Sequence, residues 1–205
     1  MWRSAALLGL VAVLGTALLA VVHTMTRDRI TAQERRVVLK QLHQVLPDSA
    51  YDNALHEDVL RITDEAFFQT QEPVTVYRAR LGTEPVAVIM QVVAPDGYNG
   101  DIKLLVGVYA DGSISGVRVV SHRETPGLGD PIEHQRSDWI LDFNGRSLGN
   151  PEPAGWAVRR DGGVFDQFTG ATITPRAVVE AVERALRYFE ARHEYLFSYP
   201  EPEQT

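Results

Sequence analysis

An uncharged run near the start limits what this chain can fold into more than any other feature. From Ala5 to Val22 no residue carries a charge, and the apolar character extends to about Met25. The Leu, Val and Ala content and the length of this run meet the criterion for a membrane-spanning helix. A cleaved leader is the competing reading, and Arg3 fits its short basic start. The run is long for a leader's apolar region, however, and no Ala-x-Ala site closes it, so a retained anchor over residues 1–26 is expected. Arg3 stands on one side of the run and Arg27, Arg29, Arg35 and Arg36 on the other. That charge distribution leaves the orientation open, or leans toward a cytoplasmic C-terminal part.

The remainder of the 205 residues suffices for one domain of about 150 residues. A net charge of −7 argues against a nucleic-acid partner, which calls for a basic face. The absence of cysteine excludes disulfides, cysteine nucleophiles and iron–sulfur ligation by this chain. Six scattered histidines form no metal-ligand pattern, and His122-Arg123-Glu124 has no spacing that marks a metal or acid–base set. Neither a metal site nor a catalytic residue is therefore expected, and each histidine reads as a surface or supporting residue.

Residues 26–46 read as a helix, with Ile30, Val37, Val38, Leu42 and Val45 in a stripe and Pro47 as its stop. A helical neck over 27–50 is expected, followed by a domain over 51–197 and a polar tail over 198–205. Within the domain, 59–63, 74–81, 85–93, 102–110 and 113–120 carry strand patterns, the last two joined by Asp111-Gly112. Residues 131–143 look helical, and 156–160 look like a short strand. The class is α+β, a mainly antiparallel sheet with flanking helices.

Two loops interrupt these elements, Ala94–Gly100 and His122–Asp130. Gly127 and Gly129 permit close backbone approach, and Leu128 between them has no packing partner in the local sequence. A third stretch, Asp166-Gln167-Phe168-Thr169-Gly170-Ala171-Thr172-Ile173-Thr174-Pro175, precedes an amphipathic helix. Thr174 reads as its N-cap and Pro175 as its first residue. Thr169 to Thr172 then sit just ahead of a helix N-terminus, where free N–H groups and the helix dipole favour a phosphate. From the pattern alone a capped turn is the ordinary reading.

The string Asp166-x-x-Thr169-Gly170-Ala171-Thr172 resembles the flavinylation motif of bacterial membrane redox proteins. With Ala94-Pro95-Asp96-Gly97-Tyr98 and Glu124-Thr125-Pro126-Gly127-Leu128-Gly129-Asp130, it makes nearly the whole chain similar to the G subunits of Rnf/Rsx electron-transport complexes. The C subunits of sodium-pumping NADH:quinone reductases are more distant relatives. The resemblance implies one FMN per chain, joined through a phosphoester to Thr172 by a separate flavin transferase. It further implies a single-pass inner-membrane protein with a periplasmic domain, relaying electrons beside integral-membrane flavoprotein and iron–sulfur subunits. The complex would couple electron transfer between NADH and ferredoxin to ion movement, and keep a redox-sensing regulator reduced. Thr169, Gly170, Ala171 and Thr174 would surround the phosphate, and Asp166 would align the acceptor or bind a metal during transfer. Thr125, Gly127, Leu128 and Gly129 would lie along the flavin ring, with Tyr98 or Trp139 shielding it. A stand-alone flavin reductase is the first rival, although no Gly-x-Gly-x-x-Gly nucleotide element follows a strand. A non-redox membrane-tethered scaffold is the second.

Overall fold

The computed structural model describes residues 38–198, together with Trp2, Gly9, Gly15 and Thr16. The expected anchor, most of the expected neck helix and the tail beyond Ser198 lie outside these residues. Residues 38–43 are helical. Among the described residues no helix is long and apolar enough to cross a membrane. The chain divides into two compact units, Met1–Lys40 and Gln41–Thr205, and the second contains the sheet.

Five strands form an antiparallel meander in the order β1-β2-β3-β4-β5: β1 Val59–Ile62, β2 Val74–Leu81, β3 Glu84–Ala94, β4 Ile102–Tyr109 and β5 Ile114–Ser121. The period-two patterns decide the register. Val76 stands opposite Met90, and Met90 opposite Val106, all three fully buried. Cross-strand partners share a face, so these residues belong to the face covered by the long helix α2, Ile173–Phe197. Val178, Val179, Val182, Ala185 and Leu186 complete that core from the helix side. A single turn, α1 (Glu65–Phe68), is capped by Asp64 and packs beside α2, where Phe68 meets Tyr188.

The other face is buried too. Ile89 lies opposite Gly107, and Gly107 opposite Gly116. The two glycines make a trough for Val45: a Cβ on Gly107 would lie 2.5 Å from its Cγ1, and one on Gly116 2.9 Å from its carbonyl oxygen. Leu42 and Leu46 are buried in the same segment. β4 is therefore covered on both faces, by α2 on one and by residues 42–46 on the other.

Two expected elements differ. The helix-like stretch at 131–143 is two 3₁₀ turns, Asp130–Ile132 and Asp138–Phe143. Ser137, extended between them, accepts the Trp139 N–H and starts the second afresh. The expected strand at 156–160 makes only an isolated bridge, Val158 to Phe165. The chain turns back there because Arg159–Asp161 closes a 3₁₀ turn that Gly162 ends at φ +91°.

Candidate functional site

Three segments converge at one end of the sheet. The β3–β4 connection brings Tyr98 and Asn99, the chain after β5 brings residues 124–129, and residues 170–174 open α2. Together they enclose a cavity of about 220 Å³. Thr125, Leu128 and Gly129 line it from one side, and Gly170, Ala171, Thr172 and Thr174 from the other. These seven are sequence-expected site residues that the fold brings together, and Tyr98 joins them at the rim. The cavity also takes in Ile173 and Glu124, which the motif reading passed over.

Local geometry explains each wall. Residues 168–171 close a tight turn in which Ala171 N–H donates to the Phe168 carbonyl at 3.1 Å. Gly170 occupies its third position at φ +83°, a conformation that glycine adopts without steric cost. Gly129 is required for a different reason. A Cβ there would stand 2.9 Å from both Cβ and Oε2 of Glu124 and 3.0 Å from Oγ1 of Thr174.

The helix begins two residues earlier than the sequence implies. Thr174 is neither N-cap nor exposed: it lies inside the first turn and is completely buried. Its hydroxyl donates to Glu124 Oε2 instead. The N-cap is Thr172, whose carbonyl accepts the Arg176 N–H at 3.3 Å, and whose hydroxyl makes no capping bond. Pro175 consequently sits third in the helix, still among the positions that lack an intrahelical acceptor. The N–H groups of Ile173 and Thr174 likewise have no acceptor within the helix.

The other expected residues lie outside the cavity lining. Thr169 is exposed on the turn, and Gly127 is exposed with φ +78°, its N–H on Asp130 Oδ1 at 2.7 Å. Asp166 reaches Arg159 at 2.9 Å, both side chains more than half exposed, and its carbonyl accepts the Trp139 indole N–H at 2.8 Å. Trp139 is buried edge-on to Phe168 and Phe143, so it supports the threonine loop from behind.

The apolar side chains at the mouth are exposed: Tyr98 by 66%, Leu128 by 45% and Ile173 by 45%. Below them lies one buried carboxylate. Glu124 accepts from Asn99 N–H at 2.9 Å on Oε1 and from Thr174 on Oε2. Its own N–H donates to His122 Nδ1 at 3.0 Å, while His122 Nε2 meets Glu133 at 2.6 Å. That pattern fixes the Nε2–H tautomer of His122, a supporting residue as expected. At the outer flank, Arg176 forms a two-pronged pair with Asp161 at 2.8 and 3.0 Å. The bonds from Arg176 hold the Asp161 carboxyl below the usual carboxylate range and push the Arg176 guanidinium up. Among the described residues no group of three metal-binding side chains converges.

Residues 97–187 match the family model described as FMN-binding domain, and residues 1–45 match the one described as RnfG N-terminal region. Curated relatives are similar over almost the full length. One from Shewanella loihica is 50% identical over 198 residues, covering 97% of this chain and 93% of the relative. One from Pseudomonas aeruginosa is 50% identical, covering 97% and 92%. A third, from Vibrio cholerae, is 42% identical over 200 residues, covering 98% and 95%. All three are named as the G subunit of an ion-translocating oxidoreductase complex.

Proposed function

The chain belongs to the G-subunit family of ion-translocating oxidoreductase complexes, and from that premise we propose that it is the complex's electron-relay flavoprotein, carrying one FMN through a phosphoester on Thr172. The observation that carries the reading is the state of that threonine. An ordinary N-cap threonine spends its oxygen on an N–H of the first turn. Thr172 makes no such bond and faces a cavity with an apolar mouth. A scaffold whose threonine loop served only as a cap would need that bond.

The residues present fit the group. The unsatisfied N–H groups of Ile173 and Thr174 and the positive end of α2 suit a phosphate beside Thr172. Leu128, Ile173 and Tyr98 offer apolar surface to a flat ring, with Thr125 and Gly129 supplying close backbone. Thr169, Gly170 and Ala171 form a small-residue turn that leaves Thr172 open to a flavin transferase, and Asp166 aligns the acceptor during transfer. At about 220 Å³ the cavity is below the roughly 300–1,000 Å³ of sites that engulf their ligands. A cavity of that size would enclose only part of a flavin, which would suit a group that hands electrons to a neighbouring subunit. When bound, FMN supplies one- and two-electron redox chemistry, and the chain's work is to hold, orient and partly shield it.

The assignment extends to the chain as a whole. Residues 1–26 are its single-pass anchor in the bacterial inner membrane, 27–50 its neck, 51–197 the periplasmic FMN domain, and 198–205 the tail. Its partners are integral-membrane flavoprotein and iron–sulfur subunits, which supply centres a cysteine-free chain lacks. Together they couple electron transfer between NADH and ferredoxin to ion translocation, and help keep a redox-sensing regulator reduced. The protein alone turns over no substrate.

Coexpression with a flavin transferase tests the assignment. Denatured wild type should fluoresce on a gel, and Thr172→Val should be dark. A dark wild-type band beside a fluorescent flavinylated control overturns the attachment.

A further inference from the structure

We propose that Glu124 is the electrostatic determinant of the flavin's reduction potential, a buried negative charge in the cavity that holds the cofactor toward its oxidised form. The inference rests on the FMN assignment above and goes beyond it.

Glu124 is 4% exposed and lines the same cavity as Thr172. Both its oxygens accept hydrogen bonds, from the Thr174 hydroxyl and from Asn99 N–H, the arrangement of a carboxylate. The cations nearest in the chain are directed elsewhere. Arg123 is exposed, Arg118 donates to the Val117 carbonyl at 2.7 Å, and Arg136 lies 3.5 Å from Asp130. No salt bridge to Glu124 forms among the described residues, and the hydrogen bonds on its two oxygens come from a hydroxyl and a backbone N–H. Buried carboxylates are ordinarily paired with a cation. This one is instead built in. Gly129 leaves out a side chain that would strike it: a Cβ there would lie 2.9 Å from both Cβ and Oε2 of Glu124. His122 and Glu133 hold its backbone from behind.

The electrostatic consequence has a fixed sign. At pH 8, full reduction of FMN takes two electrons from the titrant and one proton from water, so one negative charge is added to the ring. A carboxylate sharing a cavity with few competing water dipoles opposes that added charge more strongly than it would in bulk solvent. A residue that merely tied three segments together would not act this way, because geometry survives substitution by an isosteric amide while the charge does not.

The test is a spectroscopic redox titration of the full-length, covalently loaded protein at pH 8 against a mediator dye. In Glu124→Gln the amide oxygen still accepts from Asn99 and the amide nitrogen donates to Thr174. The proposal expects normal covalent fluorescence and a reduced-to-oxidised ratio at fixed dye potential on the order of ten-fold higher. Thr174→Val deletes the hydroxyl that stabilises the Glu124 carboxylate, so its ratio should depart from wild type. This variant carries the test alone if the amide variant does not fold or load. A loaded Glu124→Gln with wild-type potential overturns the proposal, as does a loaded Thr174→Val that leaves the potential unchanged. In both cases the FMN assignment stands. A wild type without covalent flavin overturns both.

Discussion

The threonines at 172 and 174 differ by two positions in sequence and by role in the fold. Sequence logic made Thr174 the cap because Pro175 followed it, and proline favours the first helical position. Tertiary packing decided otherwise: the buried Glu124 accepts the Thr174 hydroxyl, which draws that residue into the first turn and moves the cap to Thr172. No local signal reports a partner fifty residues away in the chain, so the motif points to the residues that line the cavity while leaving out Glu124 at its floor. The packing around that floor is tight enough to test. Gly129→Ala places a methyl 2.9 Å from Glu124 and 3.0 Å from Thr174. Overpacking of this kind costs about 1–3 kcal/mol. Urea denaturation should show that loss. Gly149→Ala, whose added Cβ would meet nothing within 4 Å, should stay close to wild type.

Elements were legible where one periodicity ran without competition. β2 through β5 follow period-two or continuous apolar patterns, and the structure places all four close to the expected bounds. The misses fall where side chains or glycines override a local pattern. Ser137 restarts the 3₁₀ segment, Gly162 reverses the chain after Val158, and α1 is one turn, too short to display a period. The threonine loop runs from the turn at Gly162 to α2, and the Asp161–Arg176 pair joins its two ends. This pair gives a pH signature. The folded Asp161 carboxyl is depressed, chiefly by the Arg176 bonds, so the unfolded chain binds its proton first as pH falls from neutral. The contribution is therefore complete above the unfolded value of about 3.9 and is lost as pH falls through the lower folded value. Stability measured from pH 7 to pH 2 in wild type and Asp161→Asn should differ by a constant above about pH 5 and converge at the acid end. A difference that persists unchanged at the lowest pH would exclude the pair as its source. Both partners are exposed, so raising salt should shrink the difference as well.

At the scale of the whole domain, α2 spans the sheet with a function at each end. Its N-terminus makes the candidate site, and its C-terminus is held to β2 by two buried arginines. Arg80 donates to the Phe197 carbonyl at 2.9 Å, and Arg78 to the Ser198 carbonyl at 2.5 Å. Positive charge at a helix C-terminus is favourable, and here it meets orphan carbonyls directly. Asp58, from the turn before β1, bridges both guanidiniums. This arrangement was invisible in the sequence, where Arg78 and Arg80 fall in a strand pattern that gives no hint of charge burial. Removing the shared carboxylate takes the Asp58 counter-charge from two buried guanidiniums, and breaking a buried pair costs about 3–5 kcal/mol. Asp58 is 23% exposed, which brings the expected loss for Asp58→Asn to about 2–3 kcal/mol. Against the roughly 5–15 kcal/mol that holds a typical domain folded, that is a large share. The loss falls far along α2 from Thr172, so it should separate stability from cofactor attachment. Asp58→Asn should unfold at clearly lower urea while still gaining covalent flavin at Thr172 when coexpressed with the transferase below its melting temperature. Loss of flavin with undiminished stability would instead mean that the arginine lock acts on the site and not on the packing of the helix.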